Sequence, residues 1–94
     1  MNIRYHVDTE TGSPHIHRHG VTEDEVEDAL SHPAEDRPGQ EGSRVAIAET
    51  RSGRYVRVIY VPDVQSSGVF VVTAYELRGK PLRAFRRRTR RRKP

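Results

Sequence analysis

The chain contains no cysteine, and this absence excludes a disulfide framework and a thiolate metal site. Apolar residues are also scarce: they make up 33% of 94 residues, with four tyrosines and two phenylalanines as the aromatics. We therefore expect a single small domain with a thin core. No apolar run approaches the roughly 20 residues of a membrane span, and residues 1–6 lack the apolar stretch of a secretory signal. The expected location is the cytoplasm, without a membrane partner.

Acidic residues are missing from one end of the chain. Residues 77–94 carry ten lysines and arginines and no acid, whereas residues 1–43 carry ten acids and three bases. Charge separated in this way is costly unless a polyanion or an acidic partner lies opposite the basic end. Arginine forks match phosphate oxygens, and clustered arginines release counterions from nucleic acid. The basic end indicates nucleic-acid contact; the alternatives are a solubilising tail or a tail docked on the protein's own acidic helix.

Two short helices are predicted in the first third of the chain. Proline at the first helical position and glycine after the last predict a helix over residues 14–19. Thr22 and Glu25 have the spacing of a capping box, and the acidic first turn that follows suits the helix dipole. This second helix should end at His32, because the residue before a proline resists the helical conformation.

Strand patterns occupy most of the remainder. Alternation at residues 3–7 predicts an edge strand, and the polar residues 34–42 predict a loop or ragged edge. Three stronger strands are predicted at residues 44–50, 55–61 and 69–75, with the second in the centre of the sheet. Their short connections favour an antiparallel meander.

These elements together predict an α+β fold. It would have a small twisted antiparallel sheet of three to four strands, one or two short helices on one face, and a basic C-terminal helix or tail. Residues 1–88 would form one domain. Nothing apolar follows Thr89, so residues 89–94 are predicted to be a basic tail, disordered in isolation.

Histidines at alternate positions raise the question of a metal site. On a strand, His15, His17 and His19 would share one face, as zinc requires, but on the predicted helix only His15 and His19 align. No carboxylate that would orient them is evident nearby in the sequence, and no metal is predicted. The alternatives are surface or capping histidines, or one histidine that acts as an acid or base.

A second polar group follows the last predicted strand. Tyr75, Arg78, Lys80 and Arg83 are close in the sequence at the point where the strand ends. Cations with one phenol suit phosphodiester cleavage, in which a base deprotonates a ribose 2′-hydroxyl while Arg or Lys stabilises the charge on the phosphorane. The simpler alternative is a group that only binds phosphate or water.

Residues 15–30, HIHRHGVTEDEVEDAL, resemble the signature of BrnT-like toxins, an HGV motif followed by an acidic helix, which related small domains of unknown function share. Residues 53–60, GRYVRVIY, resemble the central strand of that family. Residues 71–75, with Lys80 and the arginines at 86–88, resemble its final strand and basic helix. The match spans most of residues 14–88 in the same order.

The resemblance implies the RelE/ParE-like superfamily, in which helices pack on a twisted antiparallel sheet. It implies an endoribonuclease (mRNA interferase) of a type II toxin–antitoxin pair, acting without a cofactor on RNA or ribosome-bound mRNA and restrained by a cognate antitoxin. His19 matches the HGV histidine. Tyr75 stands where many of these proteins carry arginine, and Arg78 or Lys80 would replace that arginine.

The predicted site therefore has two parts. The catalytic residues are His19, Tyr75, Arg78 and Lys80. The nucleic-acid-binding residues are Arg54 and Arg57 on the central strand and Arg83, Arg86, Arg87, Arg88, Arg90 and Arg91 in the basic segment. The alternative functions are a non-catalytic nucleic-acid-binding module and an interaction domain that binds an acidic partner protein.

Overall fold

One five-stranded sheet organises the molecule. The structure, a computed structural model, describes residues 2–92, with side chains through residue 90. In chain order the elements are β1 (Ile3–Tyr5), a 3-10 helix (His15–His19), α1 (Glu23–Ser31), β2 (Glu35–Pro38), β3 (Arg44–Glu49), β4 (Tyr55–Asp63), β5 (Gly68–Glu76) and α2 (Gly79–Arg92). The predicted α+β fold is confirmed.

The strand order is β1-β5-β4-β3-β2, with β4 in the centre as predicted. The antiparallel meander is confirmed for β3 to β5 and continues into β2, but β1 pairs in parallel with β5, so the sheet is mixed. The chain passes through α1 between β1 and the meander, and such a crossover permits parallel pairing. The fifth strand, β2, lies within the predicted loop; it is polar because it forms the edge of the sheet, where its terminal proline is tolerated.

The two faces of the sheet carry separate apolar clusters. Side chains alternate along β3 and β4, so neighbouring residues point to opposite faces. The face covered by the 3-10 helix and α1 contains Ile16, Val21, Val26, Ala29, Ala46, Ala48, Val56, Val58, Tyr60, Val71 and Ala74. The opposite face holds a smaller cluster, Val45, Ile47, Leu77 and Phe85, under α2. The basic helix therefore lies on the face away from α1.

A capping box and two glycines determine where the 3-10 helix ends, where α1 begins and how closely β1 approaches β5. Thr22 and Glu25 form the predicted capping box: the Thr22 hydroxyl accepts from the Glu25 N–H at 3.2 Å, and Glu25 Oε1 accepts from the Thr22 N–H at 3.1 Å. Gly20 ends the 3-10 helix with a left-handed φ of 71°. At Gly68, any Cβ would lie 1.9 Å from the Asn2 carbonyl oxygen, so only glycine lets β1 approach β5.

The basic segment forms a long helix. Helix α2 continues to Arg92 and so includes residues 89–92, the first part of the segment predicted to be a tail. Leu82 and Phe85 pack it on the sheet, arginine favours helices, and the Thr89 hydroxyl donates to the Phe85 carbonyl at 3.2 Å. The rest of the predicted tail, residues 93–94, lies outside the described residues. No helix in the described part of the chain is long and apolar enough to span a membrane.

Candidate functional site

Arg57 and Tyr75 lie side by side across the two longest strands. They are register partners on β4 and β5, and the guanidinium carbon of Arg57 is 5.9 Å from the centroid of the Tyr75 ring, within cation–π range. Arg57 alternates with Val56 and Val58, which face α1, so its side chain is on the α2 face. It is half-buried, its Nε is fully buried without a hydrogen-bond partner, and no described carboxylate pairs with it.

His19 lies on the other side of Tyr75. The two rings meet edge to face with centroids 6.0 Å apart. Strand β1 pairs with β5 only as far as Val71, and the 3-10 helix packs against β5. This placement brings an exposed histidine beside a half-buried tyrosine. His19, Tyr75 and Arg57 are referred to below as the rim cluster, and all three were predicted as site residues.

A groove of about 490 Å³ opens on the α2 face, and Arg57 lines it. Its apolar lining is formed by Val45, Ile59, Val61 and Val72. The register of β4 and β5 shifts between Ile59 and Tyr60, so Val72 has no partner on β4 and is 38% exposed. Such bulges redirect side chains and are frequent beside active sites. The rim cluster and the groove therefore share one arginine.

Arg54 occupies a different environment from Arg57. Its guanidinium donates to both Glu25 carboxylate oxygens, at 2.9 and 3.0 Å, and to the Gly20 carbonyl at 2.9 Å. Burial raises the pKa of Glu25, but hydrogen bonds from the Thr22 backbone, Ser52 and Arg54 outweigh it and hold this pKa below its usual value. Arg54 fastens α1 to the start of β4, and the structure does not bring it together with Arg57.

The residues expected to replace the strand arginine lie apart from the rim cluster. Arg78 is exposed, and its guanidinium donates to Glu76 Oε1 at 2.7 Å. Lys80 is exposed in the first turn of α2. In the described part of the chain, no hydrogen bond, ion pair or ring contact joins either residue to Tyr75. Arg57, from the neighbouring strand, is the cation beside the tyrosine ring.

The predicted site cations of α2 divide into two groups. Arg88 forms two hydrogen bonds to the buried Glu35, at 2.8 and 2.9 Å, and Arg86 lies 5.2 Å above the Tyr55 ring, so both contribute to the packing of α2. The others face solvent at helical spacing and form what we call the α2 stripe: Lys80, Arg83, Arg87 and Arg90. No described carboxylate pairs with a member of this stripe. The side chain of Arg91 lies outside the described ones.

Sequence reasoning missed Asp8 and Thr73. Asp8 Oδ1 is 2.9 Å from His15 Nδ1, a contact that depends on the bridge between Val7 and Pro14 rather than on any spacing in the sequence. The buried Thr73 hydroxyl lies on β5, two positions before Tyr75, without a hydrogen-bond partner. Among residues 2–92, no group of three or more His, Asp or Glu side chains is arranged to hold a metal ion.

Comparisons of the chain with protein-family models, with curated proteins and with solved structures give no match. The resemblance to BrnT-like toxins therefore stays a prediction from the sequence. Function has to be inferred from the geometry of the rim cluster, the groove and the α2 stripe.

Proposed function

We propose that this chain is a toxin-like endoribonuclease that cleaves RNA at the rim cluster. The observation that carries the proposal is the state of Arg57, a half-buried cation with no acidic partner in the described chain, lying over a phenol that contacts an imidazole. A cation, a phenol and an imidazole are sufficient for the proton transfers and charge stabilisation of RNA transphosphorylation.

The isolation of Arg57 contrasts with all the other arginines that precede α2 and with Arg88 of α2. Ion pairs with carboxylates are formed by Arg4, Arg18, Arg37, Arg44, Arg51, Arg54, Arg78 and Arg88. A partly buried charge without a partner is costly to folding, and such departures from local rules are expected where a protein binds or transforms a ligand. A phosphate of the RNA backbone would supply the missing negative charge.

Each member of the rim cluster has a role in this reaction. His19 takes the proton of the ribose 2′-hydroxyl as the 2′-oxygen forms a bond to the adjacent phosphorus. Tyr75 gives its proton to the 5′-oxygen as the bond from phosphorus to that oxygen breaks, and Arg57 stabilises the charge of the phosphorane and of the phenolate. The products are a 2′,3′-cyclic phosphate and a 5′-hydroxyl. The proton held by His19 returns to Tyr75 through solvent.

Two further features of the structure, the groove and the α2 stripe, would serve an extended polyanion. The apolar lining of the groove would contact a base, while the α2 stripe, which rises about 15 Å from residue 80 to residue 90, would follow backbone phosphates. As a type II toxin, the protein would act on mRNA in the cytoplasm, free or on the ribosome. A cognate antitoxin would cover the site and restrain it.

Substitutions at the rim cluster test the proposal. We expect Tyr75→Phe and His19→Gln each to lower the rate of RNA cleavage by about 10²–10⁴-fold, because each removes a proton-transfer group. Tyr55→Phe and His17→Gln are matched controls outside the cluster and should leave the rate unchanged. The rates are measured with purified protein and an end-labelled RNA oligonucleotide. Equal rates for all four variants and the wild type would refute the assigned roles.

The α2 stripe supports a second candidate function, a nucleic-acid-binding module without catalysis. Four cations on one helix face, none of them paired with a carboxylate in the described part of the chain, would bind phosphates without sequence preference. Replacing all four with glutamine should weaken RNA binding and reduce the slope of log K against log salt by about 0.7 per residue, as measured by fluorescence anisotropy. An unchanged slope would exclude the stripe as the binding surface. RNA that is bound but never cleaved would favour this second function.

A further inference from the structure

Asp8 and His15 form a hydrogen-bonded pair directly behind His19. Asp8 Oδ1 lies 2.9 Å from His15 Nδ1, and the two side chains are 13% and 28% exposed, respectively. Arg18 Nε lies 2.8 Å from the second Asp8 oxygen as an ion pair, but without the geometry of a hydrogen bond, so this buried oxygen has no hydrogen-bond partner among the described residues. The His15 ring in turn meets the His19 ring edge to face, with centroids 5.2 Å apart.

The backbone fastens this pair to the sheet. The His6 N–H donates to the Val71 carbonyl at 2.9 Å, and the His15 N–H donates to the His6 carbonyl at 2.8 Å. The Asp8 N–H donates to the Ser13 carbonyl at 2.9 Å, which closes the intervening loop. Asp8 and His15 are therefore held beside β5, the strand that carries Tyr75.

From this geometry we infer that Asp8 and His15 are positioning residues for His19 in the proposed ribonuclease site. Asp8 accepts the Nδ1–H of His15 and thereby selects one tautomer and one ring orientation. The fixed His15 ring then restricts the ring of His19, which is exposed on a short 3-10 helix and would otherwise change rotamer freely. The expected effect on catalysis rests on the proposed function. The orientation of the His19 ring can be measured whether or not the protein cleaves RNA.

The charge state of Asp8 agrees with this role. The hydrogen bond with His15 lowers the pKa of Asp8, and nearby Arg18 lowers it further, against the opposing effect of burial. The carboxylate is therefore ionised at neutral pH and is an acceptor only. Among the described residues, the charged or titratable groups in contact with His15 are Asp8, His6 at 5.7 Å between ring centroids, and His19, while Arg18 is paired with Asp8.

Two variants and one control test the inference. Asp8→Asn replaces the carboxylate with an amide that no longer enforces the tautomer, and His15→Phe keeps an aromatic ring but loses the bond to Asp8. His17→Gln is the control, because its ring bonds to Glu23, away from Tyr75. Long-range ¹H–¹⁵N NMR gives the tautomer of His15, and ring NOEs give the orientation of His19. Circular dichroism confirms that each variant is folded.

We expect wild-type His15 to carry its proton on Nδ1 and the His19 ring to show NOEs to Tyr75. These NOEs should weaken in Asp8→Asn and His15→Phe and persist in His17→Gln. We also expect kcat for RNA cleavage to fall about 10²-fold in both variants with KM unchanged, because a small misplacement of a catalytic group has this effect while Arg57 still binds phosphate. Asp8→Glu, which retains a carboxylate, should recover part of kcat.

The outcomes separate this inference from the proposed function. If the wild type cleaves RNA and Asp8→Asn cleaves it with the same kcat, the positioning role is refuted while the ribonuclease stands. Unchanged NOEs between His19 and Tyr75 in both folded variants would refute it as well. If the wild type does not cleave RNA but His19 loses its orientation in Asp8→Asn, the positioning role is supported and the proposed function alone fails.

Discussion

Replacing Arg57 with methionine is expected to lower the RNA cleavage rate about 10²–10³-fold, the usual cost of removing one group that stabilises developing charge. The same substitution should leave folding stability unchanged or raise it. Arg57 has a half-buried guanidinium with a buried, unpartnered Nε and no described acidic partner, so folding gains little from its charge. Methionine retains the length and the apolar part of the side chain.

Arg51→Met is the matched control for this prediction. It removes the same charge, but Arg51 pairs with Asp28 on the surface and is 92% exposed. Single-turnover cleavage and thermal unfolding are measured on both variants. A cleavage rate for Arg57→Met that equals the rate for Arg51→Met would show that Arg57 does not stabilise the reaction. A large loss of stability in Arg57→Met would instead make the arginine a structural residue.

Unlike the Arg57 substitution, replacing Arg54 with methionine is expected to destabilise the fold. The free energy of unfolding should fall by about 3 kcal/mol. Arg54 supplies two of the hydrogen bonds to the buried Glu25, and Glu25 also completes the cap of α1. Without the Arg54 guanidinium, the Glu25 carboxylate would keep Ser52 and the Thr22 backbone as hydrogen-bond donors. This residue is only 8% exposed, and it would lose its counter-charge. For a domain of this size, such a loss is a large share of the total stability.

The dependence on pH gives this prediction a second test. The folded state lowers the pKa of Glu25, so its pairing stabilises the protein above the ordinary value of 4.5, and this stabilisation is lost as the pH falls through the lowered value. The stability gap between wild type and Arg54→Met should therefore be widest at neutral pH and narrow in acid. Urea unfolding measures the gap, with Arg51→Met as the control, whose exposed ion pair should contribute little to the free energy of unfolding. A gap no larger than that of the control would contradict the role given to Arg54.

Local patterns in the sequence were sufficient for most of the secondary structure. The capping box, the glycine that ends the 3-10 helix and the three strong strands depend on neighbouring residues, and each lies within about two residues of its predicted position. The parallel pairing of β1 joins Ile3 to Val69, 66 residues further along the chain, and no periodicity in the sequence records such a partner. The edge strand β2 pairs with the next strand, β3, but a polar edge strand has the composition of a loop.

The sequence was sufficient to name the residues of the rim cluster. It was not sufficient to predict which of the candidate site residues contact one another. His19, Tyr75 and Arg57 meet, although they come from three different elements. The sequence gives no reason to separate Arg54 from Arg57, because the difference is the buried carboxylate of Glu25, 29 residues before Arg54. Asp8 was missed for the same reason: its contact with His15 is created by a loop closing on the sheet.

The most direct test of the rim cluster as a ribonuclease site uses one RNA oligonucleotide and the same oligonucleotide with a 2′-deoxy nucleotide at the cleaved position. The purified protein is incubated with each, and the products are identified by mass spectrometry. We expect the all-ribose strand to yield a 2′,3′-cyclic phosphate and a 5′-hydroxyl, and the substituted strand to remain intact at that position. An all-ribose strand left uncut by folded protein, or equal cleavage of both strands, would contradict the account.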